Sequence, residues 1–509
     1  MKKSYKKIVV LVFALSFLVF ISNYLSEEKI FISEFYLNNN ETEELPESFT
    51  VTGDIKYLTP QYDHRISRYT LSNNSDEKLE FKFSVGEGFE ILSSDTLILR
   101  NNEFKEHIIE IQDKNSNKVS KFSILTTNKY FPKYVVKIEN PQDIADGYIY
   151  TSFKNFRNYT FFEAIALINE FSFNEFKNWT NTINRTPAGP VFEQTQKYLN
   201  NKDAKSNALV LDKFGVPLVI IQGNLSYADF KYVEGLGNVL GVYGVPPAPG
   251  VLIGKYKIYD DEFNKLDEIK WSEKSYLDVH DIDFDVQTNR LLKIGYSEYI
   301  PGTSTITEKI WSSSYLIEQN NIKINVWDAF LNYPLSASEE SFKENPNWDV
   351  FHINSARMYD QNVLVSLRHT NSISLIDNEA NALWTIANNE EINDFKILDD
   401  PFEIFYGQHD AKLINNNQLT IFDNQNDQGK VARGVVYQLD ENEKTAIFVK
   451  HFLLDEDALC CGSFQLLNQG AILSGGSEGT IYEFVDELSG PNLKIDIGGI
   501  VYRAVKIER

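Results

Sequence analysis

Three histidines head three successive copies of one strand pattern, and no other feature of the chain constrains its fold as tightly. His280 opens the run His-Asp-Ile-Asp-Phe-Asp-Val-Gln-Thr-Asn-Arg-Leu-Leu-Lys-Ile. His352 opens His-Ile-Asn-Ser-Ala-Arg-Met-Tyr-Asp-Gln-Asn-Val-Leu-Val-Ser, and His409 opens His-Asp-Ala-Lys-Leu-Ile-Asn-Asn-Asn-Gln-Leu-Thr-Ile-Phe-Asp. Each copy reads as a short strand, an Asn-rich turn and an apolar strand running back. A fourth copy, Gly462 to Gly470, keeps the pattern without a histidine. Repeats of about 40–50 residues made of antiparallel strands predict a β-propeller, whose first strands line a shared channel. Equivalent positions then meet, and histidines far apart in sequence become one cluster.

The composition suits such a fold. At 509 residues the chain is too long for one ordinary core. Phe (35) and Tyr (27) are abundant and Met (2) is rare, which favours rigid β packing. A net charge of −23 argues against a nucleic-acid partner, because a phosphate backbone would be repelled. Cys460 and Cys461 are adjacent. A disulfide between neighbours is strained, so the pair reads as small residues heading a strand, with a redox switch as the alternative.

Along the chain, Lys2, Lys3, Lys6 and Lys7 precede an apolar run from Ile8 to Ile21. This layout predicts a signal anchor or signal peptide over 1–26, with the bulk exported to the periplasm or cell exterior. An acidic, Asn-rich linker follows over 27–47. Alternating runs such as Leu79 to Val85 predict a small antiparallel β-sandwich over 48–130. Apolar residues at helical spacing over Thr160 to Ile183, and a short second helix over Val191 to Leu199, interrupt the β pattern. The span 131–509 is predicted to be the six-bladed propeller, closed when Val501 to Lys506 pairs with the strand near 146–153. The fold class is thus all-β.

The candidate catalytic groups are His352, His409, Arg433 and His280. Asn354, Arg368, His369, Asn424 and Arg503 are candidate binding groups. Guanidinium groups grip sulfate or phosphate oxygens in a bidentate fork, and histidine exchanges protons near neutral pH. Gathered on an axis, they suit transfer of a charged group. No His-x-His or Glu-x-x-His motif supports a metal site, and no Gly-rich phosphate loop or Cys-x-x-Cys pair supports a cofactor. His451 lies on an outward return strand and reads as structural.

These motifs, in this order, resemble the arylsulfotransferase family. The resemblance rests on Trp348-Asp349-Val350-Phe351-His352-Ile353-Asn354-Ser355, Ser366 to His369, Gln408 to Asp410, Phe422 to Asn424, Arg433-Gly434 with Val436-Tyr437, and Tyr502-Arg503-Ala504. It covers roughly 130–509. It implies an exported enzyme that moves a sulfuryl group from an aryl sulfate to a phenol without a nucleotide donor, through a transiently sulfated histidine. Arg433 matches the family's sulfate-binding arginine, and His352 and His409 match histidines of its pocket. The chain departs from the family where Gly475-Gly476-Ser477 leads to Glu478 rather than to histidine, and no histidine lies beyond His451. That departure favours, as the alternative, a non-catalytic propeller binding sulfated or other anionic ligands. A scaffold protein that only contacts partners is a third reading.

Overall fold

The computed structural model describes residues 28–37, 45–71, 78–100, 103–132, 134–154, 205–223, 225–244, 250–270, 276–299, 310–338, 348–414, 417–425 and 428–507. The expected signal anchor over 1–26 and the two helices expected between 160 and 199 lie outside the described residues. Among these residues strands dominate, arranged in eight sheets.

Two of the sheets belong to the N-terminal stretch. Thr50–Gly53, Leu79–Ser84 and Thr96–Leu99 form one. A five-stranded sheet faces it, and there Arg68–Leu71 runs parallel to Val119–Thr126. That parallel pair corrects the purely antiparallel sandwich expected from the alternation. Leu79–Ser84 alternates buried and exposed residues at period two, so Phe81 and Phe83 enter the core and Glu80 and Lys82 meet water. The rings of Phe49, Phe83, Phe122 and Tyr69 pack between the sheets. Buried Arg68 donates to Asp212 (2.8 Å), Glu106 (3.0 Å) and the Pro217 carbonyl (3.2 Å), which ties this region to the sheet beside it.

Six further sheets of four or five strands follow. Their first strands are Ser226–Val233, Tyr276–Asp285, Ile353–Tyr359, His409–Ile414 and Ser463–Leu466, and the chain's last strand, Ile500–Ile507, takes that position in the sheet of Tyr148–Lys154. Ile500–Ile507 pairs antiparallel with Tyr148–Lys154, with Lys506 opposite Ile149 and Val501 opposite Phe153. On the far side of that sheet, Lys29–Ile32 adds a strand from within the stretch expected to be a linker.

The closed six-bladed β-propeller expected from the repeats is corrected. The hydrogen-bonded ladders are open, and none of the sheets closes on itself. Open edges leave backbone groups to satisfy, and side chains of adjoining edges do so. The Ala356 amide donates to Asp281, the Ala411 amide to Ser355 Oγ (3.2 Å), and the Ala504 amide to Ser463 Oγ (2.8 Å). These first strands therefore carry Asp and Ser where a sheet interior would carry Val or Ile. For the described residues the membrane-anchored reading is corrected as well. Among the described residues no helix is long and apolar enough to cross a membrane.

Candidate functional site

The first strands share a local irregularity. Pairing slips between Tyr227 and Phe230, between Leu277 and Ile282, between Ile353 and Ser355, and between His409 and Lys412. Such an irregularity frees residues from the ladder and re-aims their side chains. The residues so released include Asp229, Asp278, His280, Asp281, Asn354 and Asp410. At the equivalent place in the last strand, the slip between Thr151 and Phe153 releases Tyr502 and Arg503.

Four histidines come together at these strand heads. The rings of His280 and His352 meet edge to face with centroids 4.9 Å apart, and His369 stacks on His352 at 4.7 Å. Tyr502 bridges to His409, its ring 5.9 Å from His280 and 5.3 Å from His409. Each imidazole has an orienting partner at Nδ1. For His280 it is Asp278 (2.5 Å), for His352 Asp349 (2.7 Å), for His369 the Asp349 carbonyl (2.6 Å) and for His409 the Gly462 carbonyl (2.7 Å). A carbonyl only accepts, so His369 and His409 carry a proton on Nδ1, and in a neutral ring Nε2 is then the acceptor. His352 itself sits at φ +53. Gly250, at φ +90, backs the His352–Asp349 pair so closely that a Cβ there would lie 2.5 Å from His352 Nδ1.

Burial sets the protonation of this cluster. It pushes the Asp349 carboxyl up from 3.8 to about 7, opposed by the charge of His369 and the Tyr296 hydroxyl, which donates at 3.0 Å. Burial likewise holds His369 and His409 well below the ordinary histidine value, helped by His352 for the first and Arg503 for the second. The buried phenols of Tyr296 and Tyr502 stay protonated.

The expected partnership of these histidines with arginine is corrected. Arg433 is buried elsewhere, its Nε on Asp423 (2.8 Å) and its terminal nitrogens on Asp400 (2.7 and 2.8 Å). Its guanidinium lies 4.2 Å over the Phe402 ring, with His451 alongside at 3.4 Å. Arg503 is ringed by Asp229 (2.5 Å), Asp281 (3.1 Å) and Asp410 (3.2 Å), in a buried cluster that also takes in Lys231, Arg357 and Lys412. Arg368 donates to the Leu459 carbonyl at 2.6 Å. Asn354 and Asn424 pin the 407–408 turn through the Gln408 carbonyl (2.7 Å) and the Gly407 carbonyl (2.6 Å). Among the described residues, the basic pocket required for sulfuryl transfer from an aryl sulfate to a phenol, or for holding a sulfated or other anionic ligand, is not assembled. Among the described residues, no group of three or more His, Cys, Asp or Glu side chains is placed to hold a metal ion.

Sequence reasoning missed Asp278, Asp349 and Tyr296 as partners of the histidines. The first two had a signal, since each lies two or three residues before its histidine. Tyr296 had none. Also unforeseen were the buried amide oxygens with no donor at the 407–408 turn: Oδ1 of Asn354, Oδ1 of Asn424 and Oε1 of Gln408.

A sequence model described as arylsulfotransferase (ASST) matches residues 259–488. A search of curated proteins finds no match. Among solved structures, a putative 6-phosphogluconolactonase from Bacteroides fragilis is similar over 79% of this chain and 93% of its own, at 10% identity and TM-score 0.35. A protein of unknown function from Bacteroides caccae is similar over 60% and 95%, at 9% identity and TM-score 0.34. A hypothetical selenium-binding protein from Sulfolobus tokodaii is similar over 72% and 79%, at 10% identity and TM-score 0.34. Likenesses this low carry no argument about this chain. The resemblance drawn from the sequence is corrected in turn. The family match is confined to 259–488, the sheets are open, and the arginine assigned to sulfate is committed to two aspartates.

Proposed function

We propose that the chain is a ligand-binding β-sheet protein whose histidine cluster takes an uncharged, hydrogen-bonding small molecule and exchanges a proton with it. The observation that carries this reading is the buried Asp349 carboxyl, set between the Tyr296 hydroxyl (3.0 Å) and His352 Nδ1 (2.7 Å), where burial pushes it up to about 7. A carboxyl poised there hands a proton to, or takes one from, an adjacent imidazole at little energetic cost. The site residues in this reading are His280, His352, His369 and His409, with Asp349 positioning His352. The two most buried guanidinium groups, those of Arg433 and Arg503, are neutralised by carboxylates. A neutral partner therefore suits the site better than a charged one. The amide oxygens of Asn354, Asn424 and Gln408 favour a ligand that brings N–H or O–H donors.

The test is calorimetric titration with a panel of polyols, amides and ureas, run in buffers of different ionisation enthalpy. Binding whose heat varies with the buffer, and which disappears in His352→Ala and His409→Ala, is the expected result. Binding untouched by both substitutions would place the ligand elsewhere. Absence of binding across the panel, with the histidines titrating as a structural cluster, would end the reading.

A further inference from the structure

Beside the histidines the chain carries a second reactive pair. We propose that Cys460 and Cys461 form a reversible disulfide with each other, and that forming it releases His409 from its carbonyl.

The two sulfur atoms are 3.1 Å apart, already facing each other on the turn that leads into Ser463–Leu466. Cys461 is buried and occupies the left-handed region at φ +67, whereas Cys460 is half-buried. Cys460 is therefore the thiol that an incoming reagent meets, and Cys461 resolves. The partner is a small disulfide of the glutathione class. The Cys460 thiolate attacks one of its sulfurs, the S–S bond breaks, and one thiolate leaves and takes up a proton. Cys461, as thiolate, then attacks the Cys460 sulfur and expels the second thiol. Two protein thiols are oxidised and one external disulfide is reduced to two thiols. Neighbouring Cα atoms lie about 3.8 Å apart, below the usual disulfide range of about 4.4–6.8 Å. The bond is accordingly strained and easily reduced, the property of a labile rather than a structural disulfide.

The turn that must move is wired into the histidine site. Its carbonyls receive Arg368 at Leu459 (2.6 Å), the Ser477 amide at Cys460 (3.2 Å), Asn424 at Cys461 (3.3 Å) and His409 Nδ1 at Gly462 (2.7 Å). The Gly462 amide donates to the Tyr502 carbonyl at 3.1 Å. Shortening the sulfur separation to about 2.05 Å turns the peptide between the cysteines. The Cys460 side of the turn is held in place, because the Ser477 amide donates to the Cys460 carbonyl at 3.2 Å. The displacement therefore passes to Gly462 and frees His409 Nδ1, so its tautomer is no longer fixed.

The experiment equilibrates the full chain with glutathione and glutathione disulfide, traps the remaining thiols with iodoacetamide and weighs the intact protein. Nitrogen-15 spectra of the histidine rings are recorded in parallel. The expected result is loss of both alkylation sites with no added glutathione mass and no dimer, together with a shift of the His409 ring signals. Cys461→Ser should hold glutathione on Cys460, and its His409 signals should stay at the reduced position. Cys461→Ala serves if the serine variant fails to fold. Both thiols remaining alkylatable, glutathione retained on both, or a disulfide between two chains would overturn the proposal. A vicinal disulfide that leaves His409 unmoved would overturn its coupling to the site.

Discussion

Replacing Asp349 by asparagine is expected to leave the protein as stable as the wild type in acid and to make it more stable above neutrality. Burial lifts the Asp349 carboxyl from 3.8 to about 7. A carboxyl raised on folding binds its proton more tightly in the folded state. Its stabilising contribution is complete below the unfolded value of 3.8 and is lost as the pH rises through about 7. The slope is about 1.4 kcal/mol per pH unit at most, and a rise of this size sums to about 4 kcal/mol. That figure is a ceiling, because His352 and Tyr296 can redistribute the charge. Asparagine keeps the shape of the protonated acid: its oxygen can accept the His352 amide, and its NH2 can donate to the ring. Urea unfolding of wild type and Asp349→Asn at about pH 4, 6 and 8 supplies the measurement. The variant's advantage should be near zero at the lowest pH and reach about 2–4 kcal/mol at the highest. An asparagine variant less stable than wild type at the alkaline end, or a difference independent of pH, would show that Asp349 is ionised and refute the reasoning.

Arg433→Met should cost about 3–5 kcal/mol in chemical denaturation, because it strands Asp400 and Asp423. It should leave the ring signals of His280, His352 and His369 unchanged, and movement of those signals would return Arg433 to the site. Gly250→Ala should cost about 1–3 kcal/mol and displace the His352 ring signal, since its Cβ meets that ring. An unshifted His352 would contradict the contact. Glu28→Ala removes the acceptor shared by Tyr227 (3.1 Å), Lys257 (2.8 Å) and Tyr259 (2.9 Å). It should lower stability by about 1–3 kcal/mol and increase hydrogen exchange along Lys29–Ile32, with unchanged exchange speaking against that anchor.

Period-two alternation and Asn-rich turns made the strands legible, and the pairing of Ile500–Ile507 with Tyr148–Lys154 followed from two ends that lacked local partners. The sheet edges were not legible in the same way. The serines and aspartates that satisfy them, such as Ser355 and Asp281, look in sequence like ordinary polar strand residues. The histidine heads could be read because a repeated position in a repeated unit recurs at one place in space. Arg433 was misplaced because its fate depends on Asp400, which lies outside every motif, in the loop before His409. A guanidinium takes whichever carboxylate is closest, and two carboxylates outbid a pocket. The pull of Asp349 on His352 was hidden for a different reason. Its raised pKa comes from burial, against the opposing hydrogen bond from Tyr296, rather than from anything adjacent in the chain.

The proposed function rests on the proton held between Asp349 and His352. Following the Asp349 side-chain carboxyl carbon by NMR across the pH range measures it without reference to stability or ligand. The predicted result is a midpoint near 7. A midpoint in the ordinary carboxylate range of about 3–5 would contradict it.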